Sequence, residues 1–363
     1  MVMPLPSALA SPSIQLSHGE VALPPVDVGA CTTCSALPAA CAQQNVCTLA
    51  SDSLVFPRHP SIHTVEKLAA LFPNNFRRRV VTVAVAPPCS PSALPPRALS
   101  IGCVLSGGQA PGGHNVIAGL YDYVKRTSPD GTLYGFLDGP RGLFTGKFVK
   151  VDDAMMNEYR NMGGFDMIGS GRDKIETPEQ FAGCVAVAKQ LNLDGVIVIG
   201  GDDSNTNAAV LAEHFAAIGS PTVVIGCPKT IDGDLRVPGA IDISFGFDTA
   251  TKIYSELIGN VCLDAAASGK YWYFIRLMGR AASNITLECA LQTHPNITLL
   301  GEEVAARRQN ISSIADEIVR VVVARARAGK NYGVILVPEG LIEFVPEMNA
   351  LLKELNELMA HGA

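Results

Sequence analysis

The sequence predicts an α/β protein built on mostly parallel sheets, and three observations carry that prediction. From residue 101 onward, short apolar runs of strand length alternate with longer segments of helical apolar spacing. That βα order lays strands parallel, with helices on both faces. The runs are apolar throughout, as strands covered on both sides require. Glycines and paired acids follow the runs directly, at the carboxyl ends of strands where such sheets receive ligands.

Residues 101–106 (IGCVLS), 133–138 (LYGFLD), 194–200 (DGVIVIG) and 222–228 (TVVIGCP) read as buried strands. Residues 113–126, 178–191 and 205–218 repeat apolar positions three and four apart and read as the helices between them. A second series follows, with a long helix at 248–267, a strand at 271–278 and helices at 282–291 and 311–328. A strand at 332–337 and a terminal helix at 346–359 complete it. Upstream, residues 63–76 fit one short amphipathic helix and 79–86 one short strand, ahead of a proline-rich linker at 87–96.

The 363 residues suit about two domains, and 48% apolar content suits a packed core. With 28 basic residues against 34 acidic and a net charge of -6, the chain offers no basic surface for nucleic acid or anionic lipid. No long uninterrupted apolar run offers a membrane-spanning helix. The first 100 residues hold 14 of the 24 prolines, and no Lys or Arg precedes Arg58. Residues 1–60 keep no sustained period, so they bury little against the entropy of ordering and read as largely disordered. Cys31, Cys34, Cys41 and Cys47 begin with a CxxC, but no second pair or histidine pair follows at zinc spacing. They read as thiols in a tail. Without a signal core or an arginine-rich leader, a reducing, cytosolic compartment is expected. Cys103, Cys184, Cys227, Cys262 and Cys289 sit in apolar stretches and read as buried free thiols.

Five strand ends carry chemistry. SGGQAPGGHN at 106–115 combines glycines that let backbone amides approach an anion with a helix whose positive end points at it. A phosphate cradle is the physical reading, although the stretch fits neither GxGxxG nor GxxxxGK[ST], and a tight turn without a ligand is the lesser alternative. His114 within it reads as a polar loop residue. GGDDSNT at 200–206 sets two acids at the exit of a buried strand, a costly arrangement that a hard cation with phosphate oxygens compensates. Helix capping explains one acid but not easily two.

CPKTIDGDL at 227–235 places Lys229 beside Thr230, Asp232 and Asp234. A carboxylate that takes a hydroxyl proton, next to a lysine that neutralises a transferring phosphoryl group, is what kinase-type chemistry requires. A plain Asp-Gly turn is the alternative. FIRLMGRAASN brings Met278, Gly279 and Arg280 to another strand end, with an arginine suited to phosphate. GSGRDK offers Arg172, and VPEG ends a strand with Glu339.

GGDDSNT, PKTIDGD, SFGFDTAT and KYWYFIRLMGR together make the chain resemble the phosphofructokinases, specifically the pyrophosphate-dependent branch near the plant-type catalytic β subunit. The resemblance runs over roughly 260 positions from residue 101. It implies a phosphofructokinase-like fold of two Rossmann-like domains with mostly parallel sheets, the second half incomplete. Residues 1–98 form the irregular N-terminal region, 99–240 a pyrophosphate- and Mg²⁺-binding domain, and 241–363 part of a fructose 6-phosphate-binding domain. It further implies reversible phosphoryl transfer from pyrophosphate to the 1-hydroxyl of fructose 6-phosphate, with Mg²⁺, in a cytoplasmic oligomer of like subunits or with α-type subunits.

Residue by residue, the resemblance makes Gly107, Gly108 and Arg172 pyrophosphate contacts and Asp202 the magnesium ligand. Lys229 and Asp203 set the donor, and Asp232 takes the hydroxyl proton beside Asp234. Thr230, Ile231, Met278, Gly279, Arg280 and Glu339 match substrate contacts, while Lys270 and Tyr271 match positions that reach substrate across a dimer interface. ATP-dependent relatives carry glycine at the places of Asp203 and Lys229, so pyrophosphate is expected over ATP.

The resemblance fails at both ends. Residues 1–98 match nothing in the family, and the family's later segment, with a YEGR-like motif absent here, returns to complete both sheets. Exposed apolar surface is therefore expected. Two alternatives stand beside the enzyme: a truncated, non-catalytic partner or regulatory subunit of a phosphofructokinase assembly, and an ATP-dependent 6-phosphofructokinase, against which Asp203 and Lys229 speak.

Overall fold

A computed structural model describes residues 46–51, 62–76, 80–85, 97–235, 241, 244–280 and 282–360. The expectations for residues 1–45, with the Cys31, Cys34 and Cys41 thiols, and for the 87–96 linker lie outside the described residues. The chain divides into one unit of residues 1–50 with 81–93 and another of residues 51–80 with 94–363. Strand β1 (Val46–Ser51) pairs with β2 (Val80–Val85) in a two-stranded sheet. β1 falls inside the stretch whose composition predicts little order. Helix α1 (Ile62–Leu71) lies between them in sequence.

The main sheet holds β3 (Ser100–Ser106), β4 (Thr132–Phe136), β5 (Phe148–Val151), β6 (Ser170–Gly171), β7 (Gly195–Gly200), β8 (Val223–Thr230) and β9 (Phe245–Gly246). Their order is β5-β4-β3-β7-β8-β9, with β6 beside the end of β3, and every pairing but β4–β5 is parallel. The chain leaves β3 toward β4 on one side and returns to β7 on the other. That reversal opens a crevice at the carboxyl ends of β3 and β7.

Strand alternation divides the core. Cys103, Leu105, Ile197 and Ile199 face α2 (Gly113–Thr127) and α4 (Asp153–Tyr159), packing on Ile117, Tyr121 and Met156. Val104, Val196 and Val198 face the other way, toward Leu143 of α3 (Pro140–Thr145), Val187 of α5 (Pro178–Gln190) and Leu211 and Phe215 of α6 (Asp202–Ala217). α5 starts on a capping box: Thr177 Oγ1 accepts from the Gln180 N–H, and Gln180 Oε1 accepts from the Thr177 N–H at 2.9 Å.

The second, three-stranded parallel sheet has order β10-β12-β11, from β10 (Trp272–Leu277), β11 (Ile297–Thr298) and β12 (Gly333–Pro338). One face packs on α7 (Phe247–Ser268) and α8 (Asn284–Thr293) through Ile258, Ala265, Ile285 and Cys289. The other packs on α9 (Gly301–Arg307), α10 (Ile311–Arg327) and the α11 (Leu341–Phe344) to α12 (Pro346–Ala360) segment through Val304, Ile314 and Val345. Large apolar side chains stay exposed, among them Val223 at 52% and Ile225 at 54% on β8 and Phe274 at 62% on β10. Among the described residues no helix is long and apolar enough to cross a membrane.

Three expectations need correction. His114 is no loop residue but a 1%-exposed side chain in the first turn of α2. α6 begins at Asp202 rather than residue 205, because Gly201 takes the N-cap. Cys103, Cys184 and Cys289 are buried free thiols, whereas Cys227 and Cys262 are only partly covered.

Candidate active site

A cavity of about 550 Å³ opens at the carboxyl ends of β3, β7, β8, β10 and β12. It is lined by Gly107, Gly108, Arg172, Asp202, Asp203, Lys229, Thr230, Ile231, Asp232, Asp234, Met278, Gly279, Arg280 and Glu339. These candidates come from six separate stretches of sequence, and the topology brings them together. Lys270 and Tyr271 lie elsewhere. They are exposed and precede the amino end of β10, while the cavity lies past its carboxyl end, about 20 Å along the strand.

The glycine loop leaves β3 with Gly107 at φ 89°, its N–H donating to the Gly171 carbonyl at 2.9 Å. That bond, next to β6, sets Arg172 against the loop: a Cβ on Gly108 would lie 3.4 Å from Arg172 Nη2. Glycine here keeps the backbone open to a ligand while the guanidinium stands over it.

At the end of β7, Asn205 Nδ2 donates to the carbonyls of Gly200 and Gly201, both at 2.8 Å. Ser204 Oγ donates to Ser106 Oγ at 2.9 Å, tying the start of α6 to the end of β3. Neither Asp202 nor Asp203 caps the helix, so capping does not account for the paired acids. Both stand in the first turn, where the helix dipole favours negative charge. Asp203 lies 3.8 Å from Lys174 Nζ. Asp202 makes no side-chain hydrogen bond or ion pair with a described residue.

Past β8, Thr230 Oγ1 accepts from the Asp232 N–H at 2.9 Å and donates to Asp234 Oδ1 at 3.0 Å. Gly233, at φ 71°, completes the turn. Asn284 Nδ2 of α8 donates to the Asp232 carbonyl at 3.1 Å, joining this loop to the second sheet's helices. Burial and the Asp234 charge hold the Asp232 carboxyl above its ordinary value, Glu339 adds to this, and Arg280 pulls it back. Lys229 is 8% exposed, and burial followed by the Arg172 charge pushes its ammonium pKa down against the attraction of Asp232 and Asp202. At the far rim, the Gly340 N–H donates to the Gly279 carbonyl at 3.0 Å. A Cβ on Gly340 would fall 1.9 Å from the Arg280 carbonyl, so this glycine is what lets Arg280 and Glu339 share one wall.

Ser106, Lys174, Ser204 and Asn207 also line the cavity and were not singled out from sequence. Lys174 and Ser204 lie inside the motifs GSGRDK and GGDDSNT. Helical spacing from Asp203 was the signal for Asn207. Among the described residues no group of three or more His, Cys, Asp or Glu side chains could hold a metal ion. The uncommitted Asp202 fits the other mode of Mg²⁺ binding, one or two carboxylates with water and substrate phosphates completing the shell.

The phosphofructokinase family profile matches residues 100–361. The chain is 57% identical over 296 residues to the pyrophosphate–fructose 6-phosphate 1-phosphotransferase subunit beta 1 of Arabidopsis thaliana, covering 82% of this chain and 52% of that protein. A match of that length extends into residues 1–98, which corrects the expectation that this region matches nothing in the family. It is 52% identical over 297 residues to the pyrophosphate–fructose 6-phosphate 1-phosphotransferase of Porphyromonas gingivalis, with 82% and 53% covered. The chain thus spans about half the length of the curated relatives it matches. A crystal structure of a pyrophosphate-dependent phosphofructokinase from Nitrosospira multiformis superposes with a TM-score of 0.57 at 21% identity, covering 67% of this chain and 61% of that one. The fold is the phosphofructokinase-like α/β fold with mostly parallel sheets. With the family profile spanning most of its length, the chain belongs to the phosphofructokinase family.

Proposed function

We propose that this chain carries the phosphoryl-transfer centre of a pyrophosphate-dependent phosphofructokinase, which moves a phosphoryl group reversibly from pyrophosphate to the 1-hydroxyl of fructose 6-phosphate. The observation that carries the reading is Lys229, a buried cation without a hydrogen bond or ion pair to any described residue, facing the glycine loop and Arg172. A buried, unpaired ammonium is costly unless an anion completes it. The amides of Gly107 and Gly108, with Arg172 and Lys229, hold the pyrophosphate. Asp232, with its raised proton affinity, takes the proton of the 1-hydroxyl as that oxygen bonds to phosphorus and the bridging P–O bond breaks. Inorganic phosphate leaves, held by Lys229 and Arg172, and fructose 1,6-bisphosphate forms.

Asp234 keeps Asp232 basic. Thr230, Ile231, Met278, Gly279, Arg280 and Glu339 serve the sugar phosphate, with Arg280 the charge for its phosphate. Asp202 would hold Mg²⁺, which supplies charge neutralisation for the phosphate oxygens when bound. Asp203 stands where a nucleotide's α-phosphate would lie and repels it, which disfavours ATP. Lys270 and Tyr271, remote from their own cavity, reach a neighbouring subunit's site in a homo-oligomer or an assembly with α-type subunits. The enzyme works in the cytoplasm and engages neither nucleic acid nor membrane.

The exposed Val223, Ile225 and Phe274 favour a second reading, a non-catalytic partner seated on longer subunits. Turnover of purified chain with fructose 6-phosphate, Mg²⁺ and either donor separates the two. Pyrophosphate-dependent turnover lost in Asp232→Ala is expected. Folded protein that is silent with both donors and alters the turnover of a longer subunit on mixing contradicts the first reading and supports the second.

A further inference from the structure

The ammonium of Lys229 faces an aromatic ring. Nζ lies over Phe165, 5.6 Å from the ring centroid. Phe165 is 3% exposed and does not line the cavity, so its ring stands behind the ammonium and outside the ligand space. The turn that carries the ring is fixed from α2. The N–H groups of Asp166 and Met167 donate to His114 Nε2 at 3.0 and 2.9 Å. The Gly112 and His114 N–H groups donate to the carbonyls of Gly163 and Gly164 at 2.7 and 3.0 Å. Gly113 makes room for the ring, since a Cβ there would lie 2.3 Å from Phe165 Cδ2.

A lysine on its flexible stem swings toward any carboxylate in reach, and both Asp202 and Asp232 lie close enough to act on Lys229. A π face attracts a cation through its quadrupole and does not need the ammonium hydrogens as a carboxylate does. Desolvation, which the burial of both partners supplies, strengthens that attraction. We propose that Phe165 is a positioning residue for Lys229, whose ring seats the ammonium so that its donors stay free for an anion at Gly107 and Gly108 instead of pairing with Asp202 or Asp232. The anion's identity rests on the pyrophosphate reading above, while the seating of the lysine is measurable with no ligand present.

Fluorinated phenylalanines at position 165 of the full chain keep the ring's shape and drain its π face stepwise. Pyrophosphate affinity by calorimetry is expected to fall along the mono-, di- and trifluoro series, to about three- to fivefold weaker at the end. Phe165→Leu should lose about as much or more, and Phe165→Tyr should restore wild-type affinity. A flat series overturns the proposal, because a ring that only fills space is insensitive to fluorination. Ligand-free protein labelled with ¹³C-lysine gives a second readout. The ε-methylene signal of Lys229, assigned through Lys229→Arg, is expected upfield of the other lysines and back among them in Phe165→Leu. An ordinary position in wild type overturns the proposal whether or not pyrophosphate binds. A displaced signal in protein that fails to bind pyrophosphate upholds the seating and rejects the ligand reading.

Discussion

Gly200, the last residue of β7, is where the account of the acids is most exposed to test. A Cβ there would lie 2.3 Å from Ser204 Cβ, 2.6 Å from Ser204 Oγ and 3.0 Å from the Ser106 carbonyl oxygen. Carbon–carbon contact is comfortable only from about 3.5 Å, so the first turn of α6 must retreat by roughly 1 Å. Ser204 Cβ belongs to a helix and the carbonyl to a central strand, so neither can swing aside. Gly200→Ala should therefore destabilise by about 1–3 kcal/mol, lowering the unfolding midpoint by roughly 3–10 °C for a unit of this size. The same retreat carries Asp202 and Asp203 away from Lys229, and a misplacement of about 1 Å can cost about 100-fold in turnover. Thermal melts and the rate of pyrophosphate-dependent turnover read the two effects. Gly119→Ala in α2 and Gly259→Ala in α7 are the controls. Nothing lies within 4 Å of a Cβ at either position, so each should be neutral or stabilise by up to about 1 kcal/mol. Gly200→Ala matching these controls in both midpoint and turnover would refute the reasoning.

Three further outcomes are expected. Because the Asp232 carboxyl is held above its ordinary value of 3.8, its ionised form opposes folding, and stability is lost as pH rises from that value through the folded one. Asp232→Asn should melt above wild type at pH 7, with the gap closing in acid, and equal melts at pH 7 contradict this. Burial holds His114 below its ordinary value of 6.5, so its neutral form contributes stability above that pH which is lost as pH falls below it. His114→Gln should flatten the melting profile between about pH 7 and pH 5, and an unchanged slope counts against a buried neutral imidazole. The Glu213 carboxylate of α6 accepts from the backbone and side-chain amides of both Asn74 and Asn75, between 2.5 and 3.1 Å. Glu213→Ala should speed amide exchange at residues 74–76 and leave α5 unchanged.

The long elements were legible in sequence because each is apolar in its own period. GVIVIG of β7 is buried at every residue, and the α2 expectation at 113–126 meets a helix ending one residue later. What escaped is short or mixed. PRGLFT of α3 has only six residues, fewer than two turns, so no period can declare itself. FVKV of β5 carries a lysine between valines because it is an antiparallel edge strand with one open face. GEEVAAR of α9 is only one residue longer than α3.

The site was more legible than the elements between its motifs. Asp202, Lys229 and Asp232 stand at carboxyl ends of strands in the main parallel sheet and Arg280 past a strand end of the second, and the cavity lies at those ends, so chemistry and topology pointed to the same place. Supporting contacts were invisible for a physical reason. Phe165 under Lys229, His114 under residues 166 and 167, and Asn284 on the Asp232 carbonyl link residues 52 or more apart through packing. Nothing in the local sequence encodes those pairings.

The most direct test of the central claim is calorimetric titration of the folded chain with Mg²⁺-pyrophosphate and with Mg²⁺-ATP, repeated on Lys229→Met, which keeps the side-chain length and removes the charge. Pyrophosphate is expected to bind at least about tenfold tighter than ATP, and Lys229→Met to lose about that factor, the worth of one charge-assisted hydrogen bond. ATP binding as tightly as pyrophosphate, or Lys229→Met binding pyrophosphate as wild type does, would contradict the account.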